Sequence, residues 1–348
     1  MSLRSHATPA ALLCLALLVL GDWGERAQAA SCTTQAQMTA AQRQILAGAA
    51  RTILTEVQTG DLAGLRANTL PAIDADFNSI QQSVQYLEPK VRTATITVDE
   101  LYLLDASTDP PNAQQTDFFC GSPVVGFDFN GLPPGVYAMA LLHATGVQEP
   151  QQVALVLAKS SGRWLMAGFF FKPMVLGGHD GTWYWTQARK YAQSKGAWTA
   201  AFYYKIATDL LDPVDFLASS NLEKLRREAG EVHADLPAAA APLALKVHGA
   251  IFKVTSVGTT TALGPLDLEV HYAPDATQAA DLRSPAVARK QVTDLMAALL
   301  AIHPELQSAF HGMWLHADRG NASIFALELP MNAVSASAES PAGTRAEH

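Results

Sequence analysis

Charge is scarce in this chain, and positive charge is scarcer than negative. Only 16% of its 348 residues are charged, with 24 Lys and Arg against 32 Asp and Glu, a net of −8. No basic run occurs, so nucleic acid and anionic membrane surfaces are poor partners. Long apolar runs are missing too. The stretch from Ala10 to Leu20 holds eleven apolar residues, against the ~20 a bilayer-spanning helix needs. No transmembrane segment is expected. Cysteine is limited to Cys14, Cys32 and Cys120. Gly-x-Ser-x-Gly, a phosphate loop, a dinucleotide fingerprint and His-Glu-x-x-His are all absent. Their absence removes the reaction classes those motifs serve, and no cofactor is expected.

What is there begins with a targeting pattern. Arg4, the apolar run and the small-x-small triplet Ala27-Gln28-Ala29 make residues 1–30 a secretory signal, cleaved after Ala29 or Ala30. Export to the periplasm or the outside follows. Cys14 leaves with the signal, so Cys32 and Cys120 meet an oxidising compartment that invites a disulfide. The alternative is two unpaired thiols, one on an N-terminal arm and one buried. A lipid anchor at Cys32 is a further option. Ala29 three residues before it, and Asp22, Glu25 and Arg26 between it and the apolar run, argue for ordinary soluble export.

About 318 residues then remain, enough for two domains. Thr39-Ala40-Ala41-Gln42 has the form of a capping box. Leu46, Ala50, Ile53, Leu54 and Val57 follow at helical spacing, and Gly60 is placed as a left-handed cap. From residue 93 the period becomes that of strands. Runs at 93–104, 124–129, 136–144, 152–158 and 163–171 are separated by short turns, the pattern of antiparallel neighbours. The fold class is therefore α+β: N-terminal helices plus a curved antiparallel sheet over 31–178. A helical hairpin at 179–233 is expected to pack on that sheet. Its Trp185, Ala201 and Pro213 are spaced as in one tetratricopeptide repeat, of which no second copy occurs. Residues 234–242 read as a linker, residues 243–332 as a small ββαββ domain, and 333–348 as a disordered tail.

Phe118-Phe119-Cys120-Gly121, Leu132-Pro133-Pro134-Gly135, the loop from Gly177 to Trp185, Asp212 to Leu217 and His303-Pro304-Glu305-Leu306 resemble segments of a group of uncharacterised exported proteins of soil acidobacteria. That resemblance covers most of the chain and implies export but no chemistry. By the order of its elements, 40–172 also resembles the nuclear-transport-factor-2-like fold, which hosts enzymes and binding modules alike.

The densest feature is aromatic. Residues 164–204 hold four of the six tryptophans and twelve of the 27 aromatic side chains. Such a block is a core, a binding surface, or both. Phe169, Phe171, His179, Asp180, Trp183, Tyr184 and Trp185, grouped around Gly177-Gly178, are the candidate ligand-binding residues. Asp180 sits where it either orients His179 or caps the helix that follows. Catalytic candidates are His179 and Asp180 as a proton-transfer pair, or Cys120 as a nucleophile. No metal is expected; His248, His271 and His316 lie on expected strands and would be the ligands only if they converged. The functional expectation is an exported, non-catalytic binding or assembly protein. Its partner is an apolar, sugar-like or peptide ligand, or another envelope protein. The alternatives are a hydrolase, or a module that docks proteins through the helical hairpin.

Overall fold

The computed structural model describes residues 30–73, 77–121 and 125–338. The expected signal segment, apart from Ala30, and the last ten residues of the expected tail lie outside them. Helices and mainly antiparallel sheets alternate in a mixed α+β architecture. Among the described residues no helix is long and apolar enough to cross a membrane.

The chain enters as strand β1 (Ser31–Thr34) and helix α1 (Ala40–Thr59). The capping box forms: Thr39 Oγ1 accepts from the Gln42 N–H at 3.2 Å, and the Gln42 side chain accepts from the Thr39 N–H at 2.9 Å. Gly60, at φ 66°, ends the helix in the left-handed conformation that favours glycine. Helices α2 (Leu62–Ala67) and α3 (Phe77–Val91) follow. Strands β2 (Thr95–Asp105), β3 (Gln115–Cys120), β4 (Val125–Asn130), β5 (Val136–Thr145), β6 (Gln151–Ser160) and β7 (Arg163–Pro173) come next. β1-β2-β5-β6-β7 form one antiparallel sheet.

Both faces of that sheet are covered. Ala138, Leu142, Val153, Leu155 and Leu157 pack with Ile53, Leu54 and Val57 of α1 and Leu87 of α3. The intervening Tyr137, Met139, Ala154, Val156 and Ala158 face the opposite way, against Phe118 of β3 and Phe127 of β4. A strand buried on both sides loses the polar alternation of a half-exposed one. Cys32 and Cys120 form a disulfide with Cα atoms 5.2 Å apart, tying β1 to β3. It leaves neither a free thiol at Cys120 for nucleophilic attack nor one at Cys32 for a lipid.

After the two-residue strands β8 (Val175–Leu176) and β9 (His179–Asp180) come helices α4 (Gly181–Gln193) and α5 (Ala197–Leu211), strand β10 (Leu217–Ser219) and helix α6 (Ser220–Gly230). β10 extends the β3–β4 pair into a three-stranded sheet. Strands β11 (Leu243–Val247), β12 (Ala250–Thr260) and β13 (Asp267–Ala273) lead to helices α7 (Ala276–Asp281), α8 (Pro285–Ile302) and α9 (Leu306–Ala309). Strands β14 (Gly312–Arg319) and β15 (Ala322–Pro330) and helix α10 (Met331–Ala338) close the chain. The second five-stranded sheet runs β11-β12-β13-β14-β15, with only β13 and β14 parallel. A parallel pair needs a long crossover, which α8 supplies.

Three expectations need correction. The α4–α5 pair does not use the N-terminal sheet as its main floor. Tyr184, Trp198, Phe202 and Tyr203 share a buried cluster with Leu268, Tyr272, Leu299 and Phe310 of the C-terminal unit. α5 buries nine residues, more than one stripe, and both faces of the N-terminal sheet are already taken. Segment 234–242 therefore links two parts of one core. Second, the C-terminal unit has three strands before its helices, because 243–256 is a hairpin. His248 and Gly249 both adopt positive φ, 49° and 88°, as a two-residue type I′ turn requires. Third, 331–338 is helical: Val334 and Met331, three residues apart, are buried in the C-terminal core.

Candidate functional site

A cleft of about 1230 Å³ lies where the two units meet. The N-terminal unit supplies Tyr86 and Lys90 from α3, Glu149 and Gln151 around the β5–β6 connection, and Phe171 from β7. The segment from Val175 to His179, then Trp183 and Tyr184 of α4, form another part of its wall. Leu266, Ser308, Phe310 and His311 complete it from the C-terminal unit.

The Gly177-Gly178 hinge is glycine for a physical reason. Both residues have positive φ, 53° and 84°. A Cβ on Gly177 would sit 3.1 Å from Leu266 Cβ and 3.2 Å from the Tyr184 hydroxyl oxygen. The hinge turns the chain into α4, whose first turn is capped by Asp180: its Oδ1 accepts the Trp183 N–H at 2.7 Å. Asp180 thus serves the helix rather than His179. The His179 imidazole lies flat on the Trp183 indole, 3.7 Å between centroids and 5° between planes. His179 is exposed and Trp183 half-buried.

Tyr184 is buried and donates its hydroxyl to the Leu176 carbonyl at 2.9 Å. Burial pushes its pKa up to about 12. Tyr203 likewise donates to the Ala309 carbonyl at 2.7 Å, and burial raises its phenol pKa, helped by Tyr191 and Tyr184. These two phenols fix the cleft floor and stay protonated. Trp185 is excluded from the cleft by its own partners. Its indole N–H donates to Glu228 Oε2 at 2.7 Å, and the Arg189 guanidinium, itself paired with Glu228, lies 4.3 Å from its ring centre. Phe169 also points elsewhere, half-buried against the α1–α3 core. Of the seven candidate ligand-binding residues, Phe171, His179, Trp183 and Tyr184 line the cleft, while Phe169, Asp180 and Trp185 do not.

The rest of the wall carries no local sequence signal. Tyr86 stacks on Phe171 at 5.9 Å. Lys90 lies 4.5 Å from the Tyr86 ring centre and donates to Glu149 Oε2 at 2.6 Å and to the Tyr86 hydroxyl at 3.1 Å. Burial works to lower the Lys90 pKa, but the hydrogen bonds to Glu149 and Tyr86 outweigh it and hold the ammonium above its usual range. On the far side, His311 Nδ1 meets Asp267 Oδ1 at 3.1 Å, and Asp267 is buried. That pair is a base with an orienting carboxylate. Among the described residues no hydroxyl or thiol is hydrogen-bonded to His311, so no assembled nucleophile accompanies it. Residues 86–90, 149 and 311 are far apart in sequence, and only tertiary packing brings them to one cleft.

The three candidate metal histidines divide. His248 sits exposed on its turn, 3.2 Å from Asp294. His271 and His316 stack on neighbouring strands, 4.7 Å between centroids. Burial, and then the nearby His271, lower the His316 pKa, against the pull of Glu269 and Asp318.

The cleft therefore offers ring faces from both units, a Lys90–Glu149 ion pair, two exposed imidazoles and several amide and hydroxyl groups. Such a lining suits a neutral or weakly charged ligand with both flat apolar faces and hydroxyls. No family model, curated protein or solved structure matches the chain.

Proposed function

We propose that this chain is an exported, non-catalytic binding protein that holds a sugar-like ligand in the cleft between its two units. The observation that carries this reading is the pairing of stacked rings within one cleft: Tyr86 on Phe171, and His179 on Trp183. Each pair offers an aromatic face close to polar groups that can accept or donate to hydroxyls. The signal-like first 30 residues support export. A disulfide, stable in an oxidising compartment, accords with it. Helices followed by an antiparallel sheet accord with a nuclear-transport-factor-2-like N-terminal unit, and the α4–α5 pair with a single repeat-like hairpin. Docking of another protein's helix on that pair is disfavoured, because its apolar face is covered by this chain's own C-terminal unit.

Isothermal titration calorimetry against a panel of short neutral and acidic oligosaccharides tests the reading. At least one should bind, and Trp183→Ala should weaken it tenfold or more, about 1.4 kcal/mol. Phe119→Ala, at an exposed ring outside the cleft, should leave it unchanged. No binding across the panel, or equal binding by Trp183→Ala, would overturn it. A second reading, hydrolysis with His311 as base, is favoured by the buried Asp267 that orients it. Bond cleavage in a bound oligosaccharide that stops in His311→Gln would select it.

A further inference from the structure

The outer face of the C-terminal sheet carries a second constellation, independent of the cleft. Strand alternation puts Leu268, Val270 and Tyr272 of β13 into the core, and Met313, Leu315 and Ala317 of β14 with them. Glu269 and His271, then His316 and Asp318, therefore share the other face. The parallel register sets His271 directly beside His316. Glu269 Oε1 lies 3.6 Å from the Nε2 of each histidine. The three atoms fall within 4.8 Å of one another.

Two features set this group apart from an ordinary polar patch. His316 is only 8% exposed, and its Nε2 is buried with no hydrogen-bond partner. The 3.6 Å approach of Glu269 is too long to satisfy it. His271, by contrast, is oriented: its Nδ1 meets Asp318 Oδ2 at 2.7 Å, which leaves Nε2, 3.6 Å from Glu269 Oε1, as its ligating atom. A carboxylate behind an imidazole in this way is the usual support of a ligating histidine.

We propose that Glu269, His271 and His316 form a binding site for a divalent transition metal, with Asp318 as positioning residue. Nitrogen and carboxylate donors select zinc or its borderline neighbours over magnesium or calcium. Bonds of about 2.0–2.2 Å to a tetrahedral ion need donor separations of roughly 3.3–3.6 Å; Glu269 Oε1 stands 3.6 Å from each histidine nitrogen, and the two nitrogens lie within 4.8 Å of each other. The two rings, 12° from parallel, must rotate about their side-chain bonds to aim both Nε2 lone pairs at one ion. Three protein ligands leave one position for water or a ligand group. Trp314, 4.6 Å from the His316 ring, shields one side.

The test uses the tag-free full chain, stripped with chelator and titrated with Co²⁺ by visible absorption, then with Zn²⁺ by calorimetry. One equivalent should bind with a tetrahedral Co²⁺ spectrum, displaced by Zn²⁺. His316→Gln and Glu269→Gln should each weaken binding at least tenfold. Asp318→Asn keeps all three ligands and should cost about 10–100-fold, so the proposal stays testable if a ligand variant misfolds by circular dichroism. His248→Gln, at an exposed turn, should change nothing. The proposal is overturned by absence of a stoichiometric tetrahedral spectrum, by unchanged affinity in both Glu269→Gln and Asp318→Asn, or by loss of binding in His311→Gln alone.

Discussion

The two five-stranded sheets differ in how many faces they bury. In the N-terminal sheet, residues 153–158 of β6 are buried without interruption, alternating between the α1–α3 core and the β3–β4–β10 layer. In the C-terminal sheet one face packs into the core with α5 and α8, and β13 and β14 send Glu269, His271, His316 and Asp318 to the other. A sheet covered on both sides keeps chemistry only at its ends, and Phe171 and Gln151 are such end residues lining the cleft. A sheet covered on one side can carry a site across its face.

That contrast sets the sizes of the expected effects. The largest belongs to the covered sheet. Replacing Cys32 and Cys120 together by Ser removes a crosslink spanning 88 residues, about 4–5 kcal/mol by loop-closure entropy. Denaturant unfolding of the double variant should show that loss. A change under about 1 kcal/mol would mean that the β1–β3 clamp contributes little. Next comes the comparison of faces. Leu155→Ala, at a fully buried position of β6, should cost about 2–5 kcal/mol. Ile324→Ala, at a position of β15 that is 41% exposed, should stay near 0.5 kcal/mol. Similar costs at the two positions would break the contrast.

The smallest effect lies at Glu228, which holds α6 to α4. The hydrogen bond from Arg189 lowers its pKa below the usual 4.5, burial opposes this, and the Trp185 indole adds to it. The folded state therefore favours the carboxylate. Its stabilisation is present above about pH 4.5 and is lost as pH falls through the lower folded value. Glu228→Gln should flatten stability between those limits, by no more than about 1 kcal/mol for a partly exposed pair. Parallel acid limbs for the two proteins would contradict it.

Local structure was largely legible in the residues. The capping box at Thr39, the left-handed Gly60 and the short turns between strands could be read directly because each is set by neighbours in sequence. The β6–β7 turn at Ser161-Gly162 has positive φ at both residues, as a Ser-Gly pair before a strand suggests. The equivalent turn at His248-Gly249 is not legible in the residues, because His is a less usual occupant of that position than Asn or Asp. Asp180 could be read either as a cap or as a partner of His179, and its bond to the Trp183 N–H decides for the cap. Long-range placement was not legible. An apolar α5 announces burial but not against which sheet. The order of elements also does not show that β3 and β4 leave the main sheet to cover its far side. Half the candidate site was visible as an aromatic block. Lys90, Glu149 and His311 carry no local signal, since a lone Lys, Glu or His on a loop or helix end is ordinary surface.

The central claim is that the surface left open between the two cores is occupied by a ligand in the native protein. Native mass spectrometry of the chain purified from its native source tests this most directly. The account predicts a non-covalent adduct of oligosaccharide mass on the wild-type chain that is lost in Trp183→Ala. A bare chain in both proteins, or an adduct that survives Trp183→Ala, would contradict it.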